Sequence, residues 1–323
     1  MTSRPDDARL LGDVGGTNAR FAWQSAKGAD LSQIAAYPCA QFESVESVLR
    51  HYLAQHGLPV PGQAAIGIAN PVHGDWVQMT NRDWHFSIEA LRHALGLRRL
   101  KVINDFAALA WSLPTLQPHE LRAVGGGTGV PGGTLGLLGP GTGLGVSALV
   151  QGTDACQVVI SGEGGHVTLA AADDDEAAVL AWLRHQFGHV SAERALSGPG
   201  LENLYRAWGA VQGLTLAPLT APQISQRALA GADAVCDAVL ELFFGLLGNV
   251  AGNLALTLGA TGGVYIGGGI VPRLGDRIDR SRFRERFAAK GRFGGYLARI
   301  PVWVVQGSGS PALRGAARAL DAA

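Results

Sequence analysis

The chain has 323 residues, 47% of them apolar, with 26 basic and 26 acidic side chains. That length suits about two domains with sizeable cores, and zero net charge without a basic stripe or acidic tail points away from nucleic acid and from a disordered charged arm. Glycine is the exception: its 46 residues are about twice the usual share of roughly 7%, and they gather in discrete clusters.

The first ten residues carry Arg4, Asp6, Asp7 and Arg9 and no apolar stretch, so no secretory signal is expected. Leu10 to Asp13 reads as a strand entering a Gly turn, with Ala19 to Trp23 leaving it. Ser44 is placed to cap a helix carrying Val45, Val48, Leu49, Tyr52 and Leu53 on one face. Ala64 to Ala69 reads as a buried strand. Ser87 caps a second helix that Gly96 stops, and Leu100 to Ile103 is a buried strand followed at once by a helix to Leu113. Pro114, Pro118 and the Gly-rich stretch Gly125–Gly133 mark a crossing between domains.

Leu135–Leu138, Gly139-Pro-Gly-Thr-Gly143 and Leu144–Val150 then repeat the strand, Gly turn, strand order seen near residue 15. Beyond Asp173 the chain turns helical, with a capping box over Thr220–Gln223, a last strand at Val302–Val305 and a last helix at Pro311–Leu320. Leu242 to Pro272 holds no charge and imitates a membrane span. Asn249, Asn253 and Thr257 recur on one helix face, and Gly259, Gly262 and Gly263 break the run, so a buried helix and then a strand, Val264–Ile266, are expected instead. Cys39, Cys156 and Cys236 fit no disulfide or zinc framework and read as free buried thiols of a reducing compartment.

No G-x-x-x-x-G-K-[ST] occurs, and the only lysines are Lys27, Lys101 and Lys290, so a P-loop is excluded. Gly127-Thr-Gly-Val-Pro-Gly132 matches G-x-G-x-x-G but sits in a loop before a strand, with Pro131 inside it, and does not open a helix. His185 and His189 have Gly188 between them and no third metal ligand. The positive signal is Gly12-Asp13-Val14-Gly15-Gly16-Thr17-Asn18. An Asp at a strand end followed by two glycines and a Thr makes a hairpin whose backbone N–H groups can bind phosphate oxygens. Asp13 can hold Mg²⁺ through water. An ordinary Gly turn with an Asp cap explains this segment alone nearly as well. Gly141-Thr142-Gly143 has the same chemistry, and Gly267-Gly268-Gly269, without hydroxyl or charge, suits a flat apolar partner such as adenine.

Together these segments resemble the bacterial glucokinases of the hexokinase and actin-like ATPase superfamily. The resemblance rests on Gly12–Arg20, Ile103–Phe106, Gly141–Gly145, Gly162–Val167, Ser191–Leu201 and Gly262–Pro272, in family order over nearly the whole chain. The related ROK sugar kinases carry a Cys-rich zinc motif that this chain lacks. The resemblance implies two actin-like (ribonuclease H-like) α/β domains facing an interdomain cleft. The smaller would span 1–114 plus 308–323 and the larger 115–307. It implies a cytoplasmic, homodimeric enzyme that uses ATP and Mg²⁺ to phosphorylate glucose at its 6-hydroxyl, with no membrane or nucleic-acid partner. Nucleotide contacts would come from Gly12, Asp13, Val14, Gly15, Gly16, Thr17, Asn18, Gly141, Thr142, Gly143, Gly268 and Gly269. Asp105 would be the general base, and Asn104, Asp105, Glu163, His166 and Glu193 would hold the sugar.

Read without the resemblance, Asp105 is a helix N-cap, His166 a core histidine and Glu193 an exposed helix residue. A kinase for mannose or fructose, a sugar-sensing protein that binds without catalysis, and an actin-like ATPase are the competing readings. The last leaves Glu163, His166 and Glu193 without a task.

Overall fold

The structure is a computed structural model and describes residues 7–79, 82–152, 156–306 and 310–322. The polar leader at 1–6 and the expected return crossing near 308 lie outside the described residues. The chain divides into two compact units, Met1–Leu116 with Gly307–Ala323, and Gln117–Gln306.

The first unit opens with β1 (Arg9–Val14), β2 (Asn18–Gln24) and β3 (Leu31–Pro38), an antiparallel meander, followed by α1 (Val45–Gln55). β4 (Gln63–Ile68) pairs parallel with β1. A short hairpin, β5 (Trp76–Gln78) and β6 (His85–Ser87), leads into α2 (Ile88–Leu95). β7 (Arg99–Asn104) then pairs parallel with β4 and runs directly into α3 (Asp105–Ser112). Local chemistry sets these helix ends. Ser44 accepts from the Ser47 N–H while the Ser47 hydroxyl accepts from the Ser44 N–H, a capping box that starts α1. Ser87 starts α2, and Gly96, at φ +72°, ends it in the left-handed conformation that Gly adopts at no steric cost.

The second unit begins with β8 (Leu121–Ala123), then β9 (Leu135–Pro140), β10 (Leu144–Gln151) and β11 (Gln157–Gly162), the last three again an antiparallel meander. Four helices follow: α4 (Asp174–Phe187), α5 (Gly198–Val211), α6 (Ala221–Leu229) and α7 (Ala234–Leu258). β12 (Gly263–Ile266) pairs parallel with β9, and after α8 (Ile270–Arg273), α9 (Phe283–Ala288) and α10 (Gly294–Ala298), β13 (Val302–Val305) pairs parallel with β12. The chain then returns to the first unit as α11 (Pro311–Asp321).

The sheet orders are β3-β2-β1-β4-β7 and β11-β10-β9-β12-β13-β8. Apart from the added β8, both units use one plan: three antiparallel strands, then two parallel ones beside the first. The echo in the sequence therefore belongs to the topology.

In the first sheet, alternation sends Leu10, Ala64 and Ile66 into a core with α1 and α2, and Leu11, Ala22 and Ala65 into a second core with Leu313, Ala316 and Leu320 of α11. α11 lies very close to α3: a Cβ on Gly315 would collide with the Ala108 carbonyl oxygen. In the second unit α7, whose charge-free run begins at Leu242, is largely buried among apolar side chains. Its Asn249 is buried too, donating to the Ala170 carbonyl at 3.1 Å and accepting from Lys290 Nζ.

The sequence reading missed β3, whose residues are mostly exposed, the short β5, β6 and β8, and the edge strand β11. Cys39 and Cys236 are buried free thiols, but Cys156 is exposed beside β11, which corrects the expectation that all three are buried.

Candidate functional site

On the first unit, β1 and β2 meet in a turn closed by Gly15 N–H donating to the Asn18 carbonyl at 2.9 Å. Cys39 braces it from beneath, its N–H donating to the Thr17 carbonyl at 2.8 Å and its thiol to the Gly15 carbonyl at 3.4 Å. The N–H groups of Gly16 and Thr17 find no acceptor among the described residues, and the Thr17 and Asn18 side chains are exposed. Such outward N–H groups make an anion-binding concavity.

Asp13 lies at the end of β1, across from Arg20 on β2, with Arg20 Nη1 3.5 Å from its Oδ2. Burial raises the Asp13 carboxyl above its ordinary range, against the pull of the Arg20 charge.

β4 runs between β1 and β7, so Asp13, Gly67 and Ile103 stand side by side, with Asn104 and Asp105 next along the chain. Asn104, not Asp105, is the N-cap of α3, which corrects the plain reading of Asp105. The Asn104 Oδ1 accepts from Phe106 N–H at 2.9 Å and Ala107 N–H at 3.2 Å, and its Nδ2 donates to the Asn70 carbonyl at 3.3 Å. Held at both ends of its amide, Asn104 keeps one N–H to offer a ligand. Asp105 is the first helical residue. Burial pushes its carboxyl up to about 7, the nearby Asp13 charge pushes the same way, and the Phe106 N–H opposes both.

Gly67 is a close-packing position beneath Asp105 that the sequence reading passed over. A Cβ there would lie 2.9 Å from the Ala108 Cβ and 3.5 Å from the Asp105 Cα, so only Gly lets α3 seat this close to the strand. Gly inside a strand is the one available sign of such an approach.

On the second unit, Gly141–Gly143 turns β9 into β10, closed by Gly141 N–H donating to the Gly143 carbonyl at 2.8 Å. The N–H groups of Thr142 and Gly143 find no acceptor among the described residues. The loop Gly267–Gly269 packs backbone to backbone on it: a Cβ on Gly139 would lie 2.5 Å from the Gly267 carbonyl carbon, and one on Gly268, at φ +73°, would strike the Pro140 oxygen.

Beside this ledge stand the sugar candidates. Glu163 follows the end of β11, and Gly164 and Gly165 fold tightly onto β10, where a Cβ on Gly165 would meet the Leu144 oxygen. His166 has Nδ1 4.0 Å from Glu163 Oε2 and Nε2 3.8 Å from Glu193 Oε1. Its side chain is 63% exposed, which corrects the core-histidine reading. Glu193 lies in the 3-10 turn Ala192–Arg194, capped by the Ser191 hydroxyl. Its Oε2 accepts from Leu144 N–H at 2.7 Å, so it is anchored rather than a free surface carboxylate.

Two groups of residues result, one on each unit: Gly12–Asn18 with Asn104 and Asp105, and Gly141–Gly143 with Gly268, Gly269, Glu163, His166 and Glu193. Each pairs a phosphate-sized set of N–H groups with carboxylates able to accept from hydroxyls.

The tight fit at Gly143 gives a direct check. A Cβ there would strike Glu193 Oε2 and displace it from Leu144 N–H. Losing a hydrogen bond to a charged group corresponds to roughly tenfold or more in binding. If Glu193 holds a sugar, as the resemblance implies, Gly143→Ala is expected to raise that sugar's KM by about the same factor with little change in thermal midpoint. An unchanged KM would show that Glu193 does not depend on this contact.

The glucokinase family model matches residues 10–323. The glucokinase of Aromatoleum aromaticum is 54% identical over 97% of this chain and 94% of its own length. That of Chromobacterium violaceum is 53% identical over 96% and 88%. The crystal structure of a glucokinase from an Antarctic psychrotroph superimposes with a TM-score of 0.89 at 41% identity, covering 98% of this chain and 99% of that one.

Proposed function

The chain belongs to the glucokinase family, and from that premise we propose that the two residue groups carry ATP-dependent phosphorylation of glucose at its 6-hydroxyl, giving glucose 6-phosphate and ADP. The observation that carries this reading is the cluster of Glu163, His166 and Glu193 beside the second Gly hairpin. A nucleotide hydrolase of the same architecture has no use for it, whereas a ring of sugar hydroxyls needs such acceptors.

In this proposal Asp105 takes the proton from the 6-hydroxyl as the oxygen attacks the γ-phosphorus. Asn104, Glu163, His166 and Glu193 hold the remaining hydroxyls and so fix which oxygen is presented. The N–H groups of Gly16, Thr17, Thr142 and Gly143 neutralise phosphate charge, and Gly268 and Gly269 give the adenosine a close, flat seat. Asp13 fits a hydrated Mg²⁺ because burial leaves its charge incompletely compensated by Arg20. When bound, that ion neutralises charge on the β- and γ-phosphates.

A cytoplasmic homodimer belongs to the same proposal. Three free cysteines suit a reducing compartment, and the uncharged edge strand β11, with Val158 and Ile160 exposed, offers backbone that a second copy can extend.

The test is a coupled assay over glucose, mannose, fructose and galactose with ATP and Mg²⁺. Glucose is expected to lead by kcat/KM, and Glu163→Gln to raise the glucose KM at least tenfold with a smaller change in kcat. Equal turnover of mannose or fructose would overturn the assignment to glucose. ATP hydrolysis indifferent to every sugar would overturn the kinase reading.

A further inference from the structure

A triphosphate is strongly anionic, yet no lysine is available to hold it. Lys27 pairs with Asp321 at 3.5 Å, Lys101 donates to the Ala319 carbonyl at 2.6 Å, and Lys290 donates to Asn249. On the second unit one guanidinium borders the Gly ledge. Arg273 closes the short helix α8, which follows Gly267–Gly269 directly. Its Nη2 and Cζ lie 3.6 and 3.7 Å from where a Cβ on Gly269 would be. The Gly269 nitrogen in turn lies 4.0 Å from where a Cβ on Gly141 would be, so the guanidinium stands at the seam of both loops.

Its neighbours in the chain are all engaged. Arg277 pairs with Asp237 and Glu241, Arg280 with Asp276, and Arg282 and Arg286 with Asp173, while Arg284 donates to the carbonyls of Gly126, Ala298 and Ile300. Arg273 alone in this stretch is exposed and makes no hydrogen bond or ion pair among the described residues.

We propose that Arg273 is a nucleotide-binding residue that holds the phosphate oxygens of the ADP moiety against the Gly141–Gly143 hairpin. The proposal rests on reading these loops as the nucleotide seat. A planar guanidinium fork matches phosphate oxygens, and Arg stays charged at every working pH. Contacts to phosphates that are not transferred act in the ground state and the transition state alike, so they show in KM more than in kcat.

Arg273→Gln is expected to raise the KM for ATP and the calorimetric Kd for ADP about tenfold, with glucose KM within twofold of wild type. Arg273→Lys is expected to recover part of the loss. Adenosine affinity should be unchanged, and the fall of ADP affinity with added KCl should be shallower in the Gln variant. Unchanged ATP and ADP affinities, or an equal loss for adenosine, would overturn the proposal; the latter would mean a contact to the base. Gly141→Ala separates this inference from its premise, because the nearest neighbour of its added methyl is 4.0 Å away and the fold has room for it. If Gly141→Ala weakens ATP while Arg273→Gln does not, only the Arg273 assignment fails. If neither variant affects ATP, the loop reading fails with it.

Discussion

Asp105→Asn is expected to lower kcat by roughly 10²–10⁴-fold, the contribution typical of a positioned general base, while glucose still binds. Intrinsic fluorescence titration with glucose and single-turnover assays separate the two effects. The wild-type pH profile carries a second signature. Burial first, and then the neighbouring Asp13 charge, hold the Asp105 carboxyl up to about 7. Below that pH the group is protonated and cannot accept a proton, so kcat/KM should climb as pH rises through about 7 and then level. Asp13→Asn removes one of the two upward pushes and should move this limb to lower pH, whatever it does to the height of the plateau.

Stability should move the other way. A carboxyl raised in the folded protein favours folding fully below its unfolded value, near 3.8, and loses that contribution as pH rises through about 7. The neutral Asn variant escapes the loss, so at pH 8 its thermal midpoint should equal or exceed wild type, and the gap should shrink on acidification. A variant that was inactive and also less stable at pH 8 would indicate a structural role for Asp105. Near-normal turnover would remove it from the mechanism altogether.

The second large effect is structural. Gly315→Ala places a methyl into the Ala108 carbonyl oxygen, and because the obstacle is backbone, no rotamer change relieves it. Overpacking typically costs about 1–3 kcal/mol and occasionally more, and α3 and α11 must separate to admit the methyl. The expected result is a clear drop in the urea midpoint together with lost turnover, since α3 begins at Asp105. Ala108→Gly should fail to rescue it, because trimming that side chain leaves the carbonyl in place. Wild-type stability in Gly315→Ala would show that the helices can part at little cost.

The sequence was legible where the signal was local. Ser44, Ser87 with Gly96, and Thr220 with Gln223 announce helix ends through groups within a few residues, and the structure has those ends. Both Gly hairpins were legible for the same reason. β3 and β11 were not, because each lies at a sheet edge and lacks the apolar alternation that a covered strand shows. Asp105 could be singled out only through resemblance. Its perturbation comes first from burial and then from the Asp13 charge, brought near because β4 runs parallel between the two strands, a long-range pairing that no spacing in the chain encodes. Gly67 and Gly315 look like ordinary glycines until the helices they admit are in place.

The seating of α11 also constrains the order in which a nascent chain can mature. Leu11, Ala22 and Ala65 form a sheet face whose apolar cover is Leu313, Ala316 and Leu320, so that face stays bare on the ribosome until translation has passed residue 320. The intervening unit, contiguous from Gln117 to Gln306, can consolidate first while the opening strands wait, dependent on chaperones or on speed, for the helix that completes them.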